Sequence, residues 1–199
     1  MGSLWERWGS LTGMRIGEDL KMIRRMALVV MAAGLGGVAV AQHGTGTESD
    51  LKAPVLKREA LPEPKLVFRD LEGKEHRLSD FKGKVVVLNF WGTWCPGCVL
   101  EMPTLQRLYD RYRGDPKVAF VIVSGMDTPE KVRKFVAAKK YTLPMYLVGN
   151  DPLPKPLDGG AWPATYLISP SGVVRAELQG SGNWTDPSVG VLIERLKTM

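Results

Sequence analysis

The chain has 199 residues, of which 44% are hydrophobic and 24% charged. This suits one globular domain with appendages, and a core that does not depend on disulfide staples. Its 27 basic and 21 acidic residues give a formal charge of +6, but the basic residues are scattered. The densest group, Lys131, Arg133, Lys134, Lys139 and Lys140, is mixed with acids and aliphatics; it reads as a solvated helix face, not a nucleic-acid patch.

Taken in chain order, residues 1–21 stand awkwardly ahead of an export signal and are expected to be an extension, with translation starting at Met22 or Met14. Residues 22–41 carry the signal. Met22 to Arg25 is a short basic start, Met26 to Val40 is uncharged and rich in Ala, Val, Leu and Gly, and Ala39-Val40-Ala41 has the small-x-small pattern of a cleavage site. The apolar run is short for a membrane span, so a cleaved signal is preferred to an uncleaved anchor. Residues 42–61 are polar and aperiodic, which predicts a flexible tether. The folded domain is expected from 62 to 199.

Within that domain, Lys65–Arg69 and His76–Leu78 flank Glu72-Gly73, a hairpin signal. Leu78 to Phe81 predicts a single helical turn. Val85 to Trp91 is a continuous apolar, β-branched run, as a strand covered on both faces should be. After the cysteines, Val99, Met102, Leu105, Leu108, Tyr109 and Tyr112 recur at helical spacing until Gly114-Asp115-Pro116. Val118–Ser124 is a second buried strand. Thr128 to Lys140 is a helix with Thr128 as N-cap and Pro129 at its first position. Met145–Val148 is a short strand, Thr165–Ser169 and Val173–Gln179 pair around Pro170-Ser171-Gly172, and a last helix carries Val189, Leu192, Ile193 and Leu196 on one face. The order predicts an α/β fold: a mixed sheet with helices on both faces.

The only two cysteines lie in Trp94-Cys95-Pro96-Gly97-Cys98, where a buried strand hands over to a helix. Outside the cytoplasm thiols tend to oxidise, so a lone close pair there either holds a disulfide or works by making and breaking one. A helix N-terminus favours a thiolate at Cys95. That makes it the better attacker and, once bridged, the better leaving group. Cys98 lies one turn later, placed to resolve a mixed disulfide. A static bridge over so small a loop contributes little. A zinc site needs four ligands, and besides the cysteines only His43 and His76 are at hand. Met102, Met126 and Met145 read as core rather than copper ligands.

Val87 to Cys98, followed by Glu101-Met102-Pro103, resembles the thioredoxin superfamily, and within it the TlpA/ResA-like branch of exported thiol–disulfide oxidoreductases. The resemblance covers about residues 62–199. It implies a thioredoxin fold with an added N-terminal hairpin and a central insertion over Asp127–Leu147. It implies a cis peptide before Pro163, beside which a substrate strand pairs with the backbone near Cys95. Trp162 is larger than the residue usual before this proline, and with Trp94 it would form an apolar landing surface. Glu101 occupies the branch's acidic position and would move the proton for Cys98. Asn89 stands where many thioredoxins keep a buried carboxylate. The implied activity is reduction of protein disulfides in the periplasm or on the outer face of the inner membrane, with apocytochrome c as the best-known type of substrate. A membrane thiol reductant would supply electrons, and the Cys95–Cys98 pair would serve without cofactor, metal or nucleic acid.

Three rivals are carried forward. A disulfide oxidant or isomerase would share the fold and cysteines. A peroxiredoxin-like antioxidant expects a Pro-x-x-x-Thr-x-x-Cys spacing, but Leu88 stands seven before Cys95. A copper-binding chaperone needs a distal histidine, and none follows His76.

Overall fold

A computed structural model describes residues 46–149 and 152–199. The expected extension 1–21, the signal 22–41 and His43 lie outside the described residues. Among the described residues, eight strands and three α-helices follow one another as β1 (Lys57–Leu61), β2 (Val67–Asp70), β3 (Glu75–Arg77), β4 (Val85–Trp91), α1 (Pro96–Tyr112), β5 (Val118–Gly125), α2 (Pro129–Lys139), β6 (Met145–Val148), β7 (Ala164–Ile168), β8 (Val174–Gln179) and α3 (Pro187–Leu196). Short 3-10 turns occupy Glu48–Asp50 and Leu78–Phe81. Among the described residues no helix is long and apolar enough to cross a membrane.

The strands form one sheet in the order β1-β8-β7-β4-β5-β6-β2-β3. β4, β5 and β6 are parallel neighbours joined through α1 and α2, and the other pairings are antiparallel. All seven residues of β4 are buried, which follows from its central place and explains its unbroken apolar run. The β2–β3 hairpin extends the β6 edge through Arg69–Leu147 and Asp70–Tyr146 pairs.

Two expectations need correction. The tether assigned to 42–61 ends earlier than its polarity suggested. Residues 57–61 form β1, paired with β8 from Lys57–Glu177 to Leu61–Val174, and Glu48 makes an ion pair with Arg107 on α1. Backbone pairing covers an edge that β8 would otherwise leave open, and it needs no apolar pattern. Helices on both faces were also expected. The buried side chains of α1, α2 and α3 instead join one core cluster with Val85, Val87, Trp91, Phe120 and Ile122. The opposite face, centred on Val86, Leu88, Phe90, Val121 and Val123, is covered by Leu66, Leu78 with Phe81, and the loop residues Leu153 and Leu157.

Candidate active site

β4 delivers the chain to the site. Trp91 is its fully buried last residue. A turn then closes with the Cys95 N–H donating to Gly92 O at 3.1 Å. Cys95 is the N-cap of α1, and Pro96 sits at the first helical position, where a missing N–H costs nothing. Cys95 and Cys98 form a disulfide with a Cα–Cα distance of 5.3 Å. The Cys98 N–H donates to Cys95 Sγ at 3.2 Å. Cys95 keeps 5% of its surface and Cys98 none. Only the first sulfur therefore belongs to a residue that solvent or a substrate can touch.

Gly97, between the cysteines, does more than loosen a helical turn. A Cβ there would lie 2.7 Å from Ser181 Oγ and 3.6 Å from Pro163 Cδ. The missing side chain lets two other loops close on the motif. One carries the Trp162–Pro163 peptide, which is cis. The other runs from Gly180 to Trp184.

The two tryptophans form a pair, with ring centroids 5.7 Å apart. Trp94 is 48% exposed, and its indole N–H donates to Gly125 O at 3.1 Å. Trp162 also lies 6.0 Å from the Phe90 ring. Gly92 and Gly125 admit these indoles, since a Cβ on either would collide with the ring above it. Met126 follows at φ 60° and is 63% exposed, which corrects its assignment to the core. Met102 and Met145 are buried. Beside the pair, Asp127 accepts from the Thr93 N–H at 2.8 Å, the Thr93 hydroxyl at 2.7 Å and the Ser124 hydroxyl at 2.7 Å. Burial works to raise this carboxyl, but those hydrogen bonds outweigh it and hold it below the ordinary value.

Glu101 lies one turn beyond Cys98 and is fully buried. Its Oε1 accepts from Asn89 Nδ2 at 2.9 Å, and its Oε2 accepts from the Gly182 N–H and the Trp184 indole N–H, each at 2.9 Å. Burial nevertheless pushes the carboxyl up from 4.5 to about 7, against the pull of these three donors. Asn89 also donates to Thr165 Oγ1 at 2.9 Å, its directly opposite partner on β7, while Asn89 Oδ1 is buried without a partner. A carboxyl that changes charge near neutrality, one turn from Cys98, is suited to proton transfer.

His76 lies on the hairpin and bonds Asp70 at 2.9 Å. Among the described residues no group of three or more His, Cys, Asp or Glu is placed to hold a metal. The sequence did not single out Trp184, Gly182, Thr165 or Asp127. Trp184 carried one usable signal: a lone tryptophan in a polar loop, whose indole N–H must find an acceptor when buried.

The AhpC/TSA family model matches residues 57–177. The thiol–disulfide oxidoreductase ResA of Geobacillus thermodenitrificans is 34% identical over 160 residues, covering 80% of this chain and 87% of that protein. The chain belongs to the ResA-like thiol–disulfide oxidoreductases of the AhpC/TSA family. This oxidoreductase is also 38% identical over 118 residues to ResA of Geobacillus kaustophilus, covering 59% of this chain and 67% of that one. A thioredoxin-family thiol:disulfide interchange protein from Chlorobium tepidum superposes with a TM-score of 0.56 at 18% identity, over 71% of this chain and 99% of that chain. At that identity the likeness concerns the fold. The oxidoreductase thus has the thioredoxin fold, extended at one edge by β1 and at the other by β6 and the hairpin.

Proposed function

We propose that this oxidoreductase reduces disulfides of protein substrates outside the cytoplasm. The observation that carries the reading is the asymmetry of the cysteine pair: Cys95 caps α1 and keeps surface, while Cys98 is buried one turn from a carboxyl raised to about 7. In the reduced form the helix N-terminus favours the Cys95 thiolate. It attacks a substrate disulfide, forms a mixed disulfide and expels one substrate thiolate, which takes a proton from water. Cys98 then gives its proton to the Glu101 carboxylate and its sulfur attacks Cys95 Sγ. The second substrate thiolate leaves with the electron pair of the broken bond, and the Cys95–Cys98 bridge remains.

The pair is the whole redox apparatus in this reading, with no bound cofactor or metal. Pro163 and the backbone of Trp162 receive the substrate strand, and Trp94 and Trp162 give that strand an apolar surface. A membrane thiol reductant returns the bridge to the dithiol. The export signal expected in 22–41 supports a periplasmic location, with the domain free after cleavage or tethered to the inner membrane if the signal is kept. Apocytochrome c is the type of substrate that the family resemblance suggests.

The test uses the reduced protein and a disulfide-bonded protein substrate. Substrate thiols should appear in step with loss of protein thiols. Cys95→Ser should abolish the transfer, and Cys98→Ser should accumulate the mixed disulfide. Transfer that survives Cys95→Ser ends the proposal. A reduction potential too oxidising to deliver electrons to such substrates would turn the reading toward a disulfide oxidant.

A further inference from the structure

The loop from Gly180 to Trp184, between β8 and α3, is fastened to the Pro163 loop, to the cysteine turn and to Glu101. The Gly180 N–H donates to Pro163 O at 2.8 Å. Ser181 Oγ donates to Gly97 O at 2.9 Å. Gly182 and Trp184 both donate to Glu101 Oε2, and the Trp184 backbone N–H donates to Thr104 Oγ1 at 3.1 Å. Trp184 has no exposed surface, and its ring belongs to the helix-side core. An indole has one donor and no acceptor. Here that donor is spent on a buried carboxyl, not on a backbone carbonyl or solvent.

We propose that Trp184 is a positioning residue for exchange at the cysteine pair: its indole N–H, beside the Gly182 amide, holds the Glu101 carboxyl one turn from Cys98 and favours the form able to accept the Cys98 proton. The inference rests on the proposed role of Glu101. The groups that face Glu101 are the cysteine pair one turn earlier on α1, Asn89 from β4 with Thr165 of β7 behind it, and Gly182 with Trp184 from the loop. Among the described residues no ion pair reaches it. Its proton affinity is therefore set by burial and by these donors. Loss of one donor to the carboxylate disfavours the charged form.

The experiment compares the wild-type chain with Trp184→Phe and Glu101→Gln. Phenylalanine keeps an aromatic ring but has no N–H. The Glu101 carboxyl carbon, followed by NMR, should titrate near 7 in the wild type. In Trp184→Phe the midpoint should rise by about one pH unit, a tenfold change in proton affinity. The rising limb of the pH profile for exchange should move with it. A merely structural tryptophan would lower the melting temperature and leave both midpoints in place.

A second measurement needs no folded variant at position 184. Among the indole N–H signals of the wild type, one should follow the Glu101 midpoint, and its pH response should vanish in Glu101→Gln. An unmoved midpoint in folded Trp184→Phe, or no indole signal that follows Glu101, overturns the inference. If the wild type exchanges no disulfide at any pH while the indole still tracks Glu101, the proposed function fails and the coupling stands.

Discussion

The Glu101 carboxyl makes the stability of the oxidised protein depend on pH in a direction opposite to most acidic residues. Its proton affinity is raised in the folded state, from 4.5 to about 7, so between those values the native chain binds a proton that the unfolded chain has lost. The stabilisation is fully present below pH 4.5 and is lost as pH rises through about 7. A tenfold change in proton affinity is worth about 1.4 kcal/mol, so the full excursion amounts to about 3 kcal/mol. Glu101→Gln removes the titration while keeping an amide oxygen for the Gly182 and Trp184 donors. Urea denaturation of the oxidised wild type and Glu101→Gln, at steps from pH 4.5 to 8.5, gives the test. The difference between the two curves should change by about 3 kcal/mol across this range, the wild type losing ground as pH rises. Parallel curves would refute the claim that burial dominates the three hydrogen bonds.

Gly125→Ala should displace the Trp162 indole, because the added Cβ meets that ring. A loss of about 1–3 kcal/mol is expected, together with a larger fall in kcat/KM for a protein disulfide than for a small one. Asp127→Ala strands the Thr93 N–H and two hydroxyls and should cost about 1–3 kcal/mol by thermal denaturation. Because the Asp127 carboxyl is held low, the wild type should lose that advantage only as pH falls below 3.8, through its depressed folded value. Removal of residues before Pro62 should expose the β8 edge. Light scattering should then show concentration-dependent association that the longer chain lacks.

The sheet's centre was legible because burial on both faces writes itself as composition: Val85–Trp91 has no polar break other than Asn89. Thr128-Pro129 announced the start of α2 in the same direct way, since capping is local chemistry and the Thr128 hydroxyl does accept from the Lys131 N–H. β1 was not legible. Its place depends on backbone groups meeting β8 more than a hundred residues away, and no side-chain pattern is required for that. The cysteine turn could be found from spacing, but not what Gly97 is for: its bare Cα makes room for the Ser181 hydroxyl, which is far from it in sequence. Met126 was misplaced because a methionine just after a buried strand looks like core, while its left-handed backbone turns the side chain outward.

The unpartnered oxygen of Asn89 has a consequence for what the site can hold. As placed, the amide offers both of its hydrogens, one to Glu101 and one to Thr165, an arrangement made for a charged neighbour. A half-rotation about the last side-chain bond would exchange the two ends of the group. The oxygen would then face a neutral, proton-bearing carboxyl and the Thr165 hydroxyl, and both could donate to it. A single pivoting side chain would thus let one crowded chamber house either ionisation state without importing water. Asn89→Leu, which has no such pivot, should lower the melting temperature both below and above the Glu101 midpoint; a loss confined to the high-pH side would show that the amide serves the carboxylate alone.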